Sequence, residues 1–330
     1  MNSFILADGR WQGLHGIGRF SHEVISRLKN TDILLQGPSP LSLHNIIWQA
    51  RQLRENKHRY KIFFNPGYHP VLFSSIPYVL TIHDLIHLHV PGKAAIAKKI
   101  YYELLVKPSI KNAYKVLTVS DYSKKNIMEW ANIPEDKIVV VGNGVNHCFT
   151  KDGTKHQPGY PYLLHVGNTK PHKNVARLMT AFATAKIDPQ LKLILTGKLT
   201  PELTAIIQKN NLQNRIVFTE KLSDEQLAEY YRGATAFILP SLIEGFGIPV
   251  IEAMACGTPV LISDATSLPE IGGDAALLVD PYSIDSITHG IERITHDSSL
   301  RTRLTTQGNE QVKLFSWDKT AEKVQKILDV

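Results

Sequence analysis

Leu239-Pro240-Ser241-Leu242-Ile243-Glu244-Gly245-Phe246-Gly247-Ile248-Pro249-Val250-Ile251-Glu252 reads as the end of a strand, a glycine-bearing loop and the start of a helix. Gly245 and Gly247 let backbone N–H groups approach a ligand with no Cβ in the way. Pro249 suits the first helical turn, where a missing N–H costs nothing. The free N–H groups of that helix start, Ile248 among them, then face the loop and suit a phosphate. Glu244 stands before this cradle and Glu252 one turn beyond it. A carboxylate accepts paired hydrogen bonds from the adjacent hydroxyls of ribose or a hexose. One Glu on each side therefore fits a ligand with a sugar at each end of a diphosphate. The plainer alternative leaves Glu252 complementing the helix dipole and Glu244 in solvent.

Outward from this stretch, short apolar runs alternate with amphipathic ones. Strands are expected at 4–7, 62–65, 78–82, 115–119 and 138–141, with helices at 20–28, 94–110 and 122–130. The loop-rich stretch 142–161 holds Gly142, Gly144, Gly153, Pro158, Gly159 and Pro161, and marks a domain boundary. Alternation then resumes: strand 163–166, helix 175–185, strand 191–195, helix 202–209, strand 216–218, helix 224–232, strand 236–239, helix 250–256 and strand 260–262. Ser223 with Gln226 forms a capping box, and Gly257 suits a helix C-terminus. Ser316 is placed to cap a last helix at 317–328. This order predicts an α/β chain of two domains, 1–150 and 151–315, each a parallel sheet covered on both faces. The closing helix at 316–330 is expected to pack back on the first domain.

A second strand-to-helix loop is Val166-Gly167-Asn168-Thr169-Lys170-Pro171-His172-Lys173-Asn174, with Asn174 as the expected helix cap. Lys170, His172 and Lys173 put positive charge at the C-terminal edge of a parallel sheet, where ligands bind in open α/β folds. A cation there stabilises charge growing on a leaving diphosphate.

Taken together these segments resemble the family 4 glycosyltransferases, over nearly the whole chain. The carrier is an E-x7-E pattern, Glu244 to Glu252, set in Glu-Gly-Phe-Gly-Ile-Pro. Ala253-Met254-Ala255-Cys256-Gly257-Thr258-Pro259-Val260, Ser267-Leu268-Pro269-Glu270 and Gly273-Asp274-Ala275-Ala276 continue it. Gly16-Ile17-Gly18-Arg19-Phe20, Thr81-Ile82-His83-Asp84-Leu85 and Val119-Ser120-Asp121-Tyr122-Ser123-Lys124 are similar as well. The resemblance implies a GT-B fold, two Rossmann-like domains facing across a cleft, the first for acceptor and the second for a nucleotide-sugar donor. It implies Glu252 on the ribose, Glu244 on the transferred sugar, the backbone of Gly245, Phe246 and Gly247 at the sugar and diphosphate, and Lys173 on the diphosphate. It also implies Gly16 and Gly18 over the phosphates and His83 beside the transferred sugar. From the residues alone, Gly16 and Gly18 read equally as turn glycines, and His83 as a core or capping histidine. Many members carry an Arg four to six residues before the Lys. Here Asn168-Thr169-Lys170 stands instead, leaving Lys170, His172 or Arg19 as the second cation.

The same resemblance implies retention of anomeric configuration. Both glutamates look committed to hydroxyls, so front-face substitution through an ion pair is preferred to a carboxylate nucleophile. With no D-x-D spacing and no ligand cluster, neither a metal nor a cofactor is expected. The look of Thr81–Leu85 before a basic helix is similar to bacterial mannosyltransferases of polysaccharide assembly. That implies GDP-mannose as donor and a glycan or lipid-diphosphate-linked glycan as acceptor, with a UDP-hexose as the alternative donor. A nucleotide-sugar epimerase of the same fold and a non-catalytic nucleotide-sugar or nucleic-acid binding module are the rival classes.

Composition agrees with a globular chain. It has 330 residues, 43% hydrophobic, and formal charge +7. Residues 1–150 hold 18 Lys and Arg against 10 Asp and Glu; the rest hold 19 against 20. The basic excess thus belongs to the first half and favours anionic partners. No aromatic-rich basic motif suggests nucleic acid. The segment 92–115 interleaves Lys93, Lys98, Lys99, Lys107, Lys111 and Lys115 with Ile96, Ile100, Tyr101, Tyr102, Leu104 and Leu105. It reads either as a helix resting on an anionic membrane or as one packed on the sheet with its lysines in water. No apolar run is long enough to span a bilayer, residues 1–7 read as a first strand and not a signal peptide, and two distant cysteines suit a reducing, cytoplasmic setting.

Overall fold

The computed structural model describes residues 4–11, 13, 16–40, 42–89 and 95–329. The chain forms two compact units: residues 1–144 with 316–330, and residues 145–315. The passage between them thus falls at Gly144–Val145, a few residues before position 150.

The first unit carries a sheet of β1 (Ile5–Asp8), β2 (Thr31–Leu34), β3 (Ile62–Asn65), β4 (Tyr78–Thr81), β5 (Lys115–Thr118) and β6 (Ile138–Val140). Every pairing is parallel, in the order β2-β1-β3-β4-β5-β6. The order reverses between β1 and β3, as in the flavodoxin-type doubly wound sheet. β1, β3 and β4 are buried along their whole length, which is why they appear as unbroken apolar runs. β2 is the edge strand, with no buried residue, and its Thr-Asp-Ile-Leu gives no such run. The helix His44–Glu55 is equally inconspicuous, since only Asn45, Ile46, Gln49 and Leu53 are buried.

The last helix, Trp317–Leu328, covers this first unit. Trp317, Val324 and Leu328 join Phe20, Val24 and Ile25 in one core cluster. Each such side chain contributes roughly 1.5–3 kcal/mol on full burial. At the rim, Arg27 Nε meets Asp318 Oδ1 at 2.7 Å and the Lys29 N–H donates to Gln325 Oε1 at 2.8 Å. Ser316 caps the helix by accepting from the Asp318 N–H.

The second unit carries β7 (Tyr162–His165), β8 (Lys192–Thr196), β9 (Ile216–Thr219), β10 (Ala236–Leu239), β11 (Val260–Ser263) and β12 (Ala276–Val279). The order is β12-β11-β10-β7-β8-β9, again all parallel. This is the Rossmann order, with its reversal between β7 and β10. Loops after those two strands therefore share one crevice edge. β12 is a half-exposed edge strand that the apolar pattern does not announce. The capping box at Ser223 and Gln226 is present and opens the helix Asp224–Gly233. Cys148 and Cys256 are free thiols.

Candidate functional site

The glycine-bearing loop leaves β10 and enters the helix Ile248–Ala255, with Pro249 in its first turn. Gly247 lies at φ 103°, in the left-handed region. A Cβ there would stand 2.6 Å from Leu268 Cδ2, so both the backbone and the space require glycine. The loop is clamped from the segment after β11. The Glu244 N–H donates to Thr266 Oγ1 at 3.1 Å. Ser267 Oγ donates to the carbonyls of Glu244 and Phe246, at 2.9 and 3.2 Å. The Phe246 ring packs edge-on against Phe315, 5.6 Å between centroids, so this residue offers its backbone and keeps its side chain in the core.

The second loop follows β7, the strand beside β10, and three bonds join the two loops. The Leu242 N–H donates to the His172 carbonyl at 2.7 Å. Asn174 Nδ2 donates to the Pro240 carbonyl at 2.9 Å. Lys173 Nζ meets Glu244 Oε1 at 2.7 Å, with the two side chains only 12% and 10% exposed. A carboxylate and an ammonium 71 residues apart thus form one nearly buried pair at the switch point.

Asn174 corrects one expectation. It precedes the helix Val175–Thr184, but its backbone is left-handed (φ 59°) and its side chain makes no cap bond. The amide is turned instead to the Pro240 and Pro281 carbonyls, the second at 2.7 Å. Its work is to hold loops together. Asn168 likewise closes its own turn, Oδ1 accepting from the Lys170 N–H at 3.1 Å. Lys170 is exposed, and His172 enters the loop-to-loop contact through its carbonyl. Of the three basic residues of this loop, Lys173 is the one whose charge sits on Glu244.

Glu252 lies one turn into its helix and is 3% exposed. The Tyr231 hydroxyl donates to its Oε2 at 3.1 Å, and Tyr231 is fixed in turn by its carbonyl, which accepts from Thr258 Oγ1 at 2.7 Å. Tyr231, Thr266 and Ser267 belong to the site's framework, and sequence reading passes over them. Ser267 and Thr258 lie inside the quoted family motifs, a signal that marks their neighbourhood but not their partners. His165 ends β7, fully buried, with both ring nitrogens unpartnered among the described residues. Burial, with the Lys173 charge added, pushes its pKa down to about 3, so the ring is neutral.

In the first unit Gly16 and Gly18 lie in the first turn of the helix Gly16–Ile25 and not in a loop. A Cβ on Gly18 would come within 2.5 Å of the Gly13 carbonyl, so close packing demands glycine there. A Cβ on Gly16 would meet no described residue within 4 Å. His83 packs edge-on against Phe20 at 4.9 Å, and its Nε2 lies 3.0 Å from the Pro66 carbonyl. A neutral ring donates that bond; desolvation lowers its pKa to about 4.

A further polar cluster occupies the switch point of the first sheet. Asp8 ends β1, fully buried, and takes Arg10 Nη2 at 2.6 Å and Nε at 2.8 Å. Arg10 Nη1 donates to Asn45 Oδ1 at 2.7 Å and to the Pro38 carbonyl at 2.9 Å. Its guanidinium lies 4.7 Å from the Trp48 ring centre. Asn45 Nδ2, Gln49 Nε2 and both nitrogens of buried His69 have no partner among the described residues. These residues are spread from 8 to 69 with no shared motif, so only folding reveals the cluster. Among the described residues no three His, Cys, Asp or Glu stand close enough to hold a metal ion. No helix among them is long and apolar enough to cross a membrane.

Residues 149–311 match the family model of glycosyl transferases group 1, and residues 15–148 match that of glycosyltransferase family 4. The chain is similar to an O-antigen chain mannosyltransferase of Escherichia coli, 33% identical over 254 residues, covering 73% of this chain and 67% of that one. It is similar to an O-antigen chain mannosyltransferase of Salmonella typhimurium, 32% identical over 219 residues, covering 65% of this chain and 60% of that relative's length. Sucrose-phosphate synthase from Thermosynechococcus elongatus shares the fold, with a TM-score of 0.77, 20% identity and 98% of each chain covered. With both halves matched by family models and a paired Lys173–Glu244 at the switch point of a two-sheet GT-B fold, the chain belongs to the family 4 glycosyltransferases.

Proposed function

We propose that the chain transfers mannose from GDP-mannose, with retention of configuration and without a metal, to a glycan or lipid-diphosphate-linked glycan in surface polysaccharide synthesis. The observation that carries the donor site is the Lys173–Glu244 pair beside the left-handed Gly247 at a helix start. The likeness to the two O-antigen chain mannosyltransferases supports the sugar and the pathway class. The protein then works on the cytoplasmic side, in peripheral contact with an anionic membrane surface.

The chemistry follows from the donors that the two loops present. The diphosphate lies against the Gly245–Gly247 backbone and the N-terminus of the helix Ile248–Ala255. Lys173 holds negative charge on the departing β-phosphate oxygen. Glu244 gives one carboxylate oxygen to Lys173 and turns the other to the hydroxyls of the sugar. Glu252, held by Tyr231, takes the ribose hydroxyls. The glycosidic bond to phosphate breaks into an ion pair, and the acceptor oxygen bonds the anomeric carbon from the same face. Its proton passes to the leaving phosphate oxygen. Both carboxylates stay on hydroxyls, so no covalent glycosyl-enzyme forms. Gly16, Gly18 and His83 take the parts that the family resemblance implies for them.

The test is thermal stabilisation and donor turnover with GDP-mannose and UDP-glucose. GDP-mannose at a hundred times its Kd should stabilise the fold by about 2.7 kcal/mol and be slowly hydrolysed. Stabilisation by UDP-glucose alone would move the donor assignment. Conversion of either donor to its epimer with no acceptor present would make the chain an epimerase. Indifference to both would dismiss the site.

A further inference from the structure

The first unit carries a surface cavity of about 410 Å³ that the donor chemistry does not use. The edge strand β2 supplies Asp32 and Ile33, the helix His44–Glu55 with its C-cap supplies Gln52 and Asn56, and the turn into β3 supplies Arg59 and Tyr60. This place is away from the ligand edge of the sheet. Asn45, in the first turn of that helix, meets Arg10 just past the C-terminal end of β1. Gln52 and Asn56 follow it by seven and eleven residues, roughly 10 and 16 Å down the helix. Asp32 is the second residue of β2, and Arg59 and Tyr60 precede β3. The cavity therefore opens on the flank of the unit, toward the N-terminal ends of the strands, whereas open sheets bind their main ligand at the other edge.

Its polar groups are set in advance. Arg59 Nη2 and the Tyr60 hydroxyl both donate to Asp32 Oδ2, at 2.6 and 2.8 Å, so the carboxylate is held before a ligand arrives. Tyr60 is buried, whereas the Arg59 side chain is 64% exposed and gives one nitrogen to Asp32. Asn56 Nδ2 donates to the Gln52 carbonyl at 2.9 Å, which fixes the amide and leaves its oxygen for a donor. Leu6, Ile33 and Leu34 add an apolar wall. Asp32 and Arg59 are the charged lining residues and they pair, so the lining is neutral. An anion would have to part Asp32 from Arg59, and an apolar ligand would leave the polar groups without partners. A sugar ring meets both demands. It carries C–H groups on its faces and a rim of adjacent hydroxyls, which a carboxylate, a guanidinium and an amide bind in pairs. The volume lies within the roughly 300–1,000 Å³ of small-molecule sites.

We propose that this cavity is a second glycan site, which holds a neutral hexose unit of the acceptor or product chain on the flank of the first unit. Asp32, Gln52, Asn56 and Arg59 bind its hydroxyls, and the apolar wall takes a ring face. That the ligand is a glycan rests on the reading above; the neutral polar lining does not.

The experiment is titration of the full chain with α-linked mannotriose and with maltotriose, read by saturation-transfer NMR with no donor present, alongside hydrolysis of GDP-mannose in solution. At least one trisaccharide should bind the wild type, and inorganic phosphate should not displace it. Gln52→Ala with Arg59→Ala should weaken that binding about tenfold. Gln52 is half-buried and Arg59 exposed, and the ion pair lost is a surface one. The double variant should therefore keep the wild-type melting curve and hydrolysis rate. Binding of neither trisaccharide, equal affinity in the double variant, or displacement by phosphate would overturn the proposal. Hydrolysis without trisaccharide binding sinks the cavity site alone. Binding that the double variant loses, with no hydrolysis in the wild type, sinks the enzymatic reading and leaves the glycan site.

Discussion

Each unit carries a nearly buried ion pair at the switch point of its sheet, Arg10–Asp8 at 2.6 Å in the first and Lys173–Glu244 at 2.7 Å in the second. The two differ in how completely they are satisfied. Asp8 receives three hydrogen bonds from Arg10, counting the backbone N–H, and Arg10 also reaches the Pro38 and Asn45 oxygens. Lys173 and Glu244 share a single bond between side chains. A saturated pair has nothing left to offer a ligand and acts as a brace. A pair joined at one corner keeps donors and an acceptor in hand. Polar satisfaction, more than burial or distance, is what distinguishes the two pairs.

The largest expected effect tests the brace. Arg10→Met strands the Asp8 carboxylate in the core and should cost about 4 kcal/mol of stability by denaturant unfolding. Asp8→Leu added to it should restore part of that loss, because the stranded charge is gone. If Arg10→Met unfolds at the wild-type midpoint, the brace reading fails.

Next comes the Lys173–Glu244 pair. Lys173→Ala should lower turnover about a hundredfold, worth about 3 kcal/mol, while shifting unfolding far less than Arg10→Met does. Full turnover in this variant removes Lys173 from the mechanism, and a loss of stability as large as that of Arg10→Met makes this pair a brace too.

Acid compares the two sheets through their histidines. Burial, with Arg10 adding, lowers the His69 pKa to about 4; His165 stands at about 3 for the matching reason in the other unit. Unfolded histidine titrates near its ordinary 6.5, so below that pH the unfolded chain holds more protons. The stability from each neutral ring is therefore complete above pH 6.5 and lost as pH falls toward its folded value, roughly 3 kcal/mol for His69. Urea midpoints between pH 7 and 4 should fall less steeply in His69→Phe than in the wild type; parallel curves would place His69 outside this account.

The smallest effect concerns Glu252. Glu252→Ala should weaken nucleotide binding about tenfold by calorimetry, with turnover at saturating donor changed less than in Lys173→Ala. Unchanged affinity would cancel the ribose assignment and leave Glu252 as the partner of Tyr231.

The sequence by itself determined the α/β class, the parallel pairing and the glycine-bearing loop. Interior strands such as Ile62–Asn65 and Ala236–Leu239 are covered on both faces, and that burial writes itself as apolar runs between helical stretches. It also determined which carboxylates flank the cradle, since Glu244, Gly247 and Glu252 lie within nine residues of one another. Only the tertiary structure decided that Lys173 belongs to Glu244, that Asn174 ties loops and caps nothing, and that Thr266 and Ser267 clamp the cradle. These are contacts between residues far apart in the chain, and strand order brings them together by setting β7 beside β10. Edge strands such as β2 and the polar cluster around Arg10 stayed hidden for the same reason. A half-exposed strand has no hydrophobic signature, and a buried polar group is recognisable only by the partners it finds.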